Sequence, residues 1–596
     1  MNDNKQKYLI GLQNLLFFIA LVVFWRFLYI NHLLQKEQLQ LFLVNFGYLR
    51  EHLTYPGGLA TYLSEFIIQF FLNPWVAAIA VSLLIVLFAW LIQKILVKHS
   101  RLAFFPLSYL PAIGYTLLLL NTYYLLSGLV AVLLACSSVL IYLKVERASL
   151  RFFSGLLLLS LTYWFAGGAY ILFVLSIIVS EIRLKISNDE NALAKTGILG
   201  IYVGVAIILP WLCKQLFLID NFQETYLSRA FYKISLLFPA QLVWIILSVP
   251  VLVIYYNFIH EKLRRNIRYA LSVFFSVGVV ACLIVGLYVI PNRGEENEMQ
   301  FDNLIAKQQW NAIIALAEKI PPTGPQGKLA LSLALAKTGQ MSTKLFDFRL
   351  SPNDFFIPFN LKGMAPLIAN EPYFYLGFIN FSKMMSYESI QSTPDEKMPV
   401  RAVKRFAENC IICGQYSVAE HYLRYLEQTI FYRSWAKDAE QYLYHDEKVN
   451  AHPVWGKLRR QQPKDDFYFQ YDKNELALVT LLRSDHQNTM AYEYLMSWYL
   501  LRKDFDKFLK YLPLLKSVGY SDVPKTFQQA LAYIKTLIKD NPNGLEQYPI
   551  SPEVQQNLMK YAQAFQQGGK NDAAKMKKQF GNTYWYYLHF TKLEDE

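Results

Sequence analysis

Long apolar runs occur only in the first half of this chain, and that division limits the possible folds more than any other feature. Most are close to the roughly 20 residues that a helix needs to cross a bilayer. The runs lie at about 9–30, 75–96, 102–121, 123–143, 151–165, 168–182, 195–212, 239–259 and 268–290. We therefore predict an all-α fold, with a polytopic bundle of about nine spans in residues 1–292. The fifth and sixth runs are short and meet at Ala166-Gly167-Gly168, so a re-entrant pair is the alternative there.

The positive charges of the first half predict an orientation for the bundle. Residues 1–292 hold 21 of the 58 basic residues but only 11 of the 45 acidic ones. With a cytoplasmic N-terminus, 15 of these basic residues fall in inside segments and five in outside segments, which is the bias that membrane proteins show. An odd number of spans then places residues 293–596 on the outer face. We predict a bacterial inner-membrane protein with a periplasmic C-terminal domain.

Residues 31–74 form the most distinctive polar segment, between the first two runs. Leucine and phenylalanine recur at helical spacing from Leu39 to Leu53, which predicts an amphipathic helix. Tyr55-Pro56-Gly57-Gly58 is a strong helix break, and a second amphipathic stretch runs from Leu59 to Leu72. We predict an outer-face helical hairpin that either covers the bundle or roofs a cavity at the outer leaflet.

Candidate chemistry in this segment rests on its carboxylates. A general base at a membrane surface has to be a carboxylate or a histidine held near its substrate. Glu37, directly after the first span, is the first candidate base, and Glu51 is the substitute; Glu65 is the remaining carboxylate. Further candidate substrate contacts surround the predicted hinge: His52, Tyr55, Gly57 and Gly58.

Arg26 is the basic residue that lies well inside a predicted span, about one turn from its outer end. Such an arginine commonly extends to the lipid headgroups. Alternatively, its planar guanidinium could bind a lipid phosphate through two hydrogen bonds.

The second half reads as helical throughout, with amphipathic runs in pairs. Residues 309–319 precede 327–341, residues 402–416 precede 417–428, and residues 488–505 precede 506–517. Their small and aromatic residues resemble degenerate tetratricopeptide-type repeats, whose unit is a helix pair of about 34 residues. Stacked pairs of this kind provide a concave surface for peptides or proteins, although a solenoid that only supports the membrane domain is equally compatible.

The sequence contains no motif for several common kinds of enzyme chemistry. No phosphate-binding loop, nucleophile elbow or dinucleotide-binding glycine pattern is present. Cys410 and Cys413 end a helix, whereas a redox pair gains its low thiol pKa at a helix start, so we interpret them as core residues. We predict no metal site, no cofactor and no nucleic-acid partner.

Two resemblances follow from these residues. QLQLFL, YPGGLATYLSEFIIQFF and the helical second half resemble an uncharacterised family of multi-pass membrane proteins from Bacteroidota. The layout of an inside N-terminus, a long first outer loop and a helical outer domain resembles C-type glycosyltransferases. That resemblance implies a polyprenyl-phosphate sugar donor and a carboxylate base in the first outer loop, for which Glu37 is the nearest match. The acidic pair often found there is replaced by Lys36-Glu37.

Two functions are therefore expected. The first is a membrane scaffold whose helical repeats recruit protein or peptide partners of an envelope-assembly or export machine. The alternative is a glycosyltransferase at the outer leaflet, in which Glu37 deprotonates the acceptor and Arg26 holds the phosphate of a lipid carrier.

Overall fold

The computed structural model describes residues 3–99, 106–122, 124–187, 192–217, 225–226, 240–256, 264–288, 293–357, 365–392, 398–463, 473–537 and 544–592. Within these residues the fold is all-α, as predicted, and no strand occurs. The chain forms two compact units. Unit 1 comprises Met1–Glu296 with two later segments, Thr393–Val400 and Tyr425–Trp435, and unit 2 comprises the remaining residues.

Unit 1 is built from the apolar helices and the polar segment that follows the first of them. Its helices are α1 (Asp3–Val23), α2 (Ile30–Gln38), α3 (Phe46–His52), α4 (Gly58–Ile68), α5 (Pro74–His99), α6 (Tyr109–Leu118), α7 (Ser127–Tyr142), α8 (Ala148–Ala166), α9 (Tyr170–Ser187), α10 (Ala192–Phe217), α11 (Ala240–Ile254), α12 (Arg265–Tyr288) and the first residues of α13 (Arg293–Ala306). Helix α7 lies near the middle of the core, in contact with α4, α5, α8 and α9.

Four stretches among the described residues are long and apolar enough to cross a membrane: Ile10–Leu28, Pro74–Lys98, Ala148–Ile182 and Gly197–Leu216. Shorter apolar helices occur at Ser127–Tyr142, Gln241–Ile254 and Val273–Cys282. Each of the nine predicted runs overlaps a helix, but the count of nine spans remains a prediction because several of these helices are short.

Residues 148–187 fold back on themselves. A turn at Gly167–Ala169 separates α8 from α9. The side chains of Arg151, near the start of α8, and Glu181, near the end of α9, meet at 2.9 Å. Since opposite ends of the two helices are in contact, they form an antiparallel pair.

The predicted break at Pro56-Gly57-Gly58 separates α3 from α4. The predicted helix from Leu39 to Leu53 is wrong for residues 39–45, which are not helical, and correct for Phe46–His52. Gly57 has φ +83°, in the left-handed region that favours glycine. Its backbone N–H donates to the Trp164 carbonyl at 2.8 Å, and the Trp164 indole donates to the Leu53 carbonyl at 3.2 Å. The hinge is therefore fixed to the end of α8. The loop between the seventh and eighth predicted apolar runs, about 213–238, lies mostly outside the described residues.

Unit 2 is built from further helices. They are the remainder of α13 with α14 (Trp310–Lys319), α15 (Pro325–Lys337), α16 (Met341–Lys344), α17 (Ala365–Leu376), α18 (Ile379–Ser392), α19 (Val400–Ile412), α20 (Tyr416–Glu427), α21 (Arg433–Glu440), α22 (Asp446–Ala451), α23 (Trp455–Gln461), α24 (Asn474–Ser484), α25 (Thr489–Leu501), α26 (Phe505–Tyr511), α27 (Lys525–Leu537), α28 (Pro552–Gln566), α29 (Ala573–Phe580) and α30 (Tyr584–Phe590). Three of these helices also contribute residues to unit 1: residue 400 of α19, residues 425–427 of α20 and residues 433–435 of α21.

One turn recurs where a helix of unit 2 ends. In each instance a residue with positive φ follows the helix, and the next backbone N–H donates to the carbonyl five residues earlier, which satisfies an otherwise unpaired helix-end carbonyl. The positive-φ residues are Gln308, Gly339, Gly377, Gly414, Lys503 and Gly519, with N–O distances of 2.8–3.2 Å. The first four are 31, 38 and 37 residues apart.

A buried ion network ties α13, α17 and α19 together within unit 2. Arg401 contacts Asp302 and Glu371, both at 2.9 Å. Arg405 contacts Glu371 at 2.8 Å and Glu408 at 2.7 Å. Burial disfavours the charged form of Glu371, but Arg405 and Arg401 together lower its pKa. These charges satisfy each other, so we assign the network to the packing of unit 2.

The hinge leads to a prediction about Gly58. A Cβ atom there would lie 1.6 Å from the His52 carbonyl oxygen, so the backbone would have to move. We expect Gly58→Ala to destabilise the protein by at least the roughly 1–3 kcal/mol typical of overpacking. Gly204→Ala is the matched control, because nothing lies within 4 Å of its Cβ position and alanine favours a helix. Thermal unfolding in detergent that gives equal melting temperatures for both variants would contradict the hinge geometry.

Candidate functional site

The candidate site is centred on α2, a polar helix that is buried along nearly its whole length. The first membrane-length helix ends in a π-helical turn, Phe24–Leu28, and α2 begins at Ile30. Every residue from Asn31 to Gln38 is at most 9% exposed. Burying polar side chains is costly unless each finds a hydrogen-bond partner. The partners of α2 therefore define what this segment does.

Glu296 satisfies the first turn of α2. Its carboxylate accepts from the Asn31 backbone N–H at 2.9 Å and from the Asn31 side-chain amide at 2.7 Å. It also accepts from the His32 backbone N–H at 3.3 Å and lies 2.6 Å from His32 Nδ1. The N-terminus of a helix leaves N–H groups unpaired and favours negative charge. Glu296 thus caps α2 from a position 265 residues away in sequence.

Lys36 joins the end of α2 to the turn between α6 and α7. Its Nζ donates to the carbonyl oxygens of Asn121 at 2.9 Å, Thr122 at 3.4 Å and Tyr124 at 2.7 Å. Only the charged ammonium has three N–H groups to fill these acceptors. Burial lowers the pKa of Lys36 to about 7, against the opposing charge of Glu295.

Glu37 is buried and bonded to a residue from the second half of the chain. Its Oε1 accepts from the Tyr432 hydroxyl at 2.8 Å. Burial raises the pKa of Glu37 to about 8, although the Tyr432 hydrogen bond opposes this by stabilising the carboxylate. A carboxyl group that titrates near neutrality is suited to proton transfer, but its described partner is a tyrosine of the same chain.

The segment Tyr425–Trp435, which belongs to unit 1, makes further contacts with residues 31–74. The Val44 N–H donates to the Gln428 carbonyl at 2.7 Å, and the Asn45 amide donates to the Gln428 side chain at 2.5 Å. The rings of Phe70 and Phe431 meet edge to face at 5.6 Å. We call α2 with Glu296, Tyr432 and the three carbonyls at 121–124 the α2 junction.

Arg26 lies in the π-helical turn and is half buried. Its guanidinium stacks on the ring of Trp75, with Cζ 4.9 Å from the ring centroid, and lies 5.4 Å from Phe27. Such a cation–aromatic contact stabilises the charge without a carboxylate partner. Its role in binding a lipid phosphate remains a prediction.

The remaining candidates lie around the α3–α4 hinge. Glu51 is exposed to solvent, whereas Glu37 is buried. His52 is fully buried, with Nδ1 2.8 Å from the Tyr48 carbonyl and Nε2 3.2 Å from Glu65 Oε2. The Tyr48 hydroxyl donates to the same Glu65 oxygen at 2.5 Å.

His52 is therefore held in one orientation. Because a carbonyl oxygen only accepts, the Nδ1 of His52 carries a proton. The ring of Tyr55 lies 5.9 Å from His52, and Gly58 packs under the His52 carbonyl. The structure thus brings His52, Tyr55, Gly57 and Gly58 together, with Glu65 as the buried partner of His52.

Four residues that the structure places at the candidate site were not anticipated as partners: Lys36, Glu65, Glu296 and Tyr432. The sequence does indicate that residues 31–38 are distinctive. Their polar run, NHLLQKEQ, directly follows a predicted span and is too short to form a domain of its own. Nothing in the sequence identifies Glu296 or Tyr432 as its partners. Among the residues described, no group of three or more histidine, cysteine, aspartate or glutamate side chains could hold a metal ion.

The α2 junction leads to a prediction about pH. An unfolded glutamate titrates near 4.5 and folded Glu37 near 8, so the folded state binds the extra proton in between. Stability therefore falls as pH rises through this window, by at most about 1.4 kcal/mol per pH unit for one group. We expect Glu37→Gln to flatten the dependence of the melting temperature between pH 5 and 7. Lys36 contributes little in this window, because burial lowers its pKa only to about 7 and its effect on stability therefore changes mainly above pH 7.

Glu51→Gln is the matched control for this measurement, because Glu51 is exposed on the same segment. Its melting temperatures should follow those of the unmodified chain at every pH. An unchanged slope in Glu37→Gln would show that Glu37 is not protonated in the folded state.

Comparison with known proteins gives one match. No curated protein and no solved structure matches the chain. Residues 5–591 match a family of unknown function, DUF6057. Since this match covers nearly the whole sequence, the chain belongs to the DUF6057 family.

Proposed function

We propose that this chain is a multi-pass scaffold of a bacterial inner membrane, whose periplasmic helical repeats recruit protein partners of an envelope-assembly or export machine. One observation carries the proposal. The polar groups of α2 that would serve catalysis are bonded within the chain: Glu37 to Tyr432, Lys36 to three carbonyls and His32 to Glu296. A buried network with its partners in place fixes structure rather than presenting groups to a substrate.

The recurring turns of unit 2 support the repeat part of this proposal. The first four of these turns follow each other at intervals of 31–38 residues, close to the 34-residue unit of tetratricopeptide repeats. Such repeats commonly act by binding peptides or proteins.

A transferase is the second candidate, and a specific observation favours it. Glu37 titrates near neutrality, which is the property of an effective general base. For a transferase, the hydrogen bond from Tyr432 to Glu37 breaks when an acceptor binds, and Arg26 holds the phosphate of a polyprenyl carrier. The same variant distinguishes the two functions.

We predict the following outcome for Glu37→Gln, with Glu51→Gln as the control. As a scaffold, the variant keeps its level in the membrane, its copurifying proteins and the envelope glycans of the cell. The measurement is mass spectrometry of proteins and lipids that copurify in mild detergent, with a parallel glycan profile. Loss of a glycan at an unchanged protein level, together with a polyprenyl phosphate bound in near-equimolar amount, would establish the transferase instead.

Orientation is tested separately with introduced cysteines at exposed positions. We expect Thr54→Cys and Lys560→Cys to react with a membrane-impermeant maleimide on spheroplasts, and Glu146→Cys to react only after lysis. The reason is the excess of basic residues in the segments that we assign to the cytoplasm. Protection of Lys560→Cys in intact spheroplasts would overturn the periplasmic placement.

A further inference from the structure

Two exposed apolar stripes follow the first two membrane-length stretches of unit 1. On both Ile10–Leu28 and Pro74–Lys98, exposed apolar side chains recur every four residues. Side chains at this spacing share one face of a helix. When these helices cross a membrane, such a face contacts lipid, because hydrocarbon tails are as apolar as leucine. The first stripe contains Ile19, Val23 and Phe27, and the second contains Trp75, Ile79 and Leu83.

The two stripes meet at aromatic residues. The rings of Phe27 and Trp75 lie edge to face with their centroids 5.9 Å apart, and the Arg26 guanidinium stacks on Trp75. Tryptophan is enriched where a span leaves the hydrocarbon, and arginine near a span end extends to the headgroups. These three residues therefore mark the level at which both helices reach the membrane surface.

An apolar surface continues from this level onto neighbouring segments of unit 1. Leu72 and Phe66 are exposed, and the ring of Phe70 lies 5.4 Å from that of Phe66 and 5.6 Å from that of Phe431. Ile430 and Phe431 are each 44% exposed. We call these five residues the apolar patch.

The start of the second span fixes how far the patch lies from the hydrocarbon. Phe70 belongs to the 3-10 turn Gln69–Leu72, which closely precedes Pro74, the first residue of that span. With about 2 Å of rise per residue in such a turn and at most about 3.6 Å elsewhere, the Cα atoms of Phe70 and Pro74 are at most about 11 Å apart. The turn also packs against α5. Since each headgroup layer is about 5–8 Å thick, the Phe70 side chain is within reach of it.

Ile430 and Phe431 are held at the tip of a turn between α20 and α21. The Thr429 hydroxyl donates to the Leu426 carbonyl at 2.7 Å and accepts from the Tyr432 N–H at 3.1 Å. An exposed apolar pair on a backbone fixed in this way is unfavourable in water and favourable at a lipid surface.

The charge next to this turn also suits a lipid surface. Arg433 is exposed, and its Nε donates to the Glu427 carbonyl at 2.9 Å. Basic side chains beside apolar ones are typical of segments that lie in a membrane interface, where headgroup phosphates are negatively charged.

We propose that the apolar patch inserts into the membrane leaflet at which Ile10–Leu28 ends, with Ile430 and Phe431 as the anchoring side chains of the segment Tyr425–Trp435. A lipid surface is favoured over a protein partner because the patch adjoins the aromatic ends of both lipid-facing stripes. The inference rests on the membrane location in the proposed function, but not on the scaffold role or on transferase chemistry.

This anchor adjoins the α2 junction. Tyr432 directly follows Phe431 and donates to Glu37 at 2.8 Å. Lipid contact at Phe431 therefore restricts the position of the hydroxyl that bonds Glu37. The second half of the chain supplies both the lipid contact and the partner of this buried acid.

The first test uses the unmodified full chain in phosphatidylcholine nanodiscs. Part of the lipid carries a photoactivatable diazirine in its acyl chain near the glycerol, and labelled residues are located by mass spectrometry. We expect labels on Phe27 and Trp75 and, at about a third of that level or more, on Ile430 and Phe431. Met559, an exposed apolar residue of α28, is the control and should be labelled about fivefold less than Phe431. Labelling of Ile430 and Phe431 no higher than that of Met559 would overturn the proposal.

Fluorescence quenching measures the same contact at a single position. The environment-sensitive dye NBD is attached to Phe431→Cys or to the control Met559→Cys, after the two accessible native cysteines, Cys282 and Cys413, are replaced by serine. Lipids with a nitroxide near the top of the acyl chain should quench the dye at position 431 about twofold or more and the dye at position 559 little, whereas aqueous iodide should do the reverse. Equal quenching at both positions, or stronger quenching by iodide at position 431, would contradict lipid insertion and indicate a water-facing surface for a protein.

The outcomes separate this proposal from the membrane location on which it rests. If Phe27 and Trp75 are labelled but Ile430 and Phe431 are not, the spans stand and the assignment of the patch is wrong. If none of the four is labelled, both are wrong. Should Phe431→Cys disturb the contact with Phe70, Ile430→Cys reports on the same turn, because its side chain is exposed at the neighbouring position.

Discussion

The burial of a charged helix is the constraint on which unit 1 depends. A lysine and a glutamate at adjacent positions lose their hydration in α2, and that loss has to be offset by hydrogen bonds from elsewhere in the chain. Three carbonyls at 121–124, the start of α13 and Tyr432 supply them. The helix therefore determines where three distant segments meet, and removing one partner leaves a buried polar group without compensation.

The hinge between α3 and α4 follows the same principle on a smaller scale. Glycine at 57 and 58 permits both a left-handed turn and a close approach of α4 to the His52 carbonyl. That approach places Glu65 beside His52 and Tyr48 in a dry, aromatic environment. The backbone geometry that the two glycines allow thus positions the polar side chains of residues 31–74 that contact each other. These contacts do not come from exposed loops that adapt to a ligand.

The sequence predicts the all-α fold well because helix formation depends on local patterns. Apolar runs and helical periodicity locate the helices, and Pro56-Gly57-Gly58 locates the hinge. The partners of the site could not be predicted, since Tyr432 is 395 residues from Glu37 and lies in a stretch with no distinguishing motif. The burial of α2 could not be predicted either. A polar run after a span is typical of a solvated loop, whereas here contacts with distant segments satisfy the polar side chains.

The distance between Glu37 and Tyr432 has a consequence for biosynthesis. At about 5–20 residues per second, roughly 20–80 s separate the emergence of these two residues from the ribosome. The carbonyls at 121–124 and Glu296 are also made later than α2. During this interval the polar side chains of α2 lack these partners, so residues 31–74 acquire their final structure only when three quarters of the chain has been made.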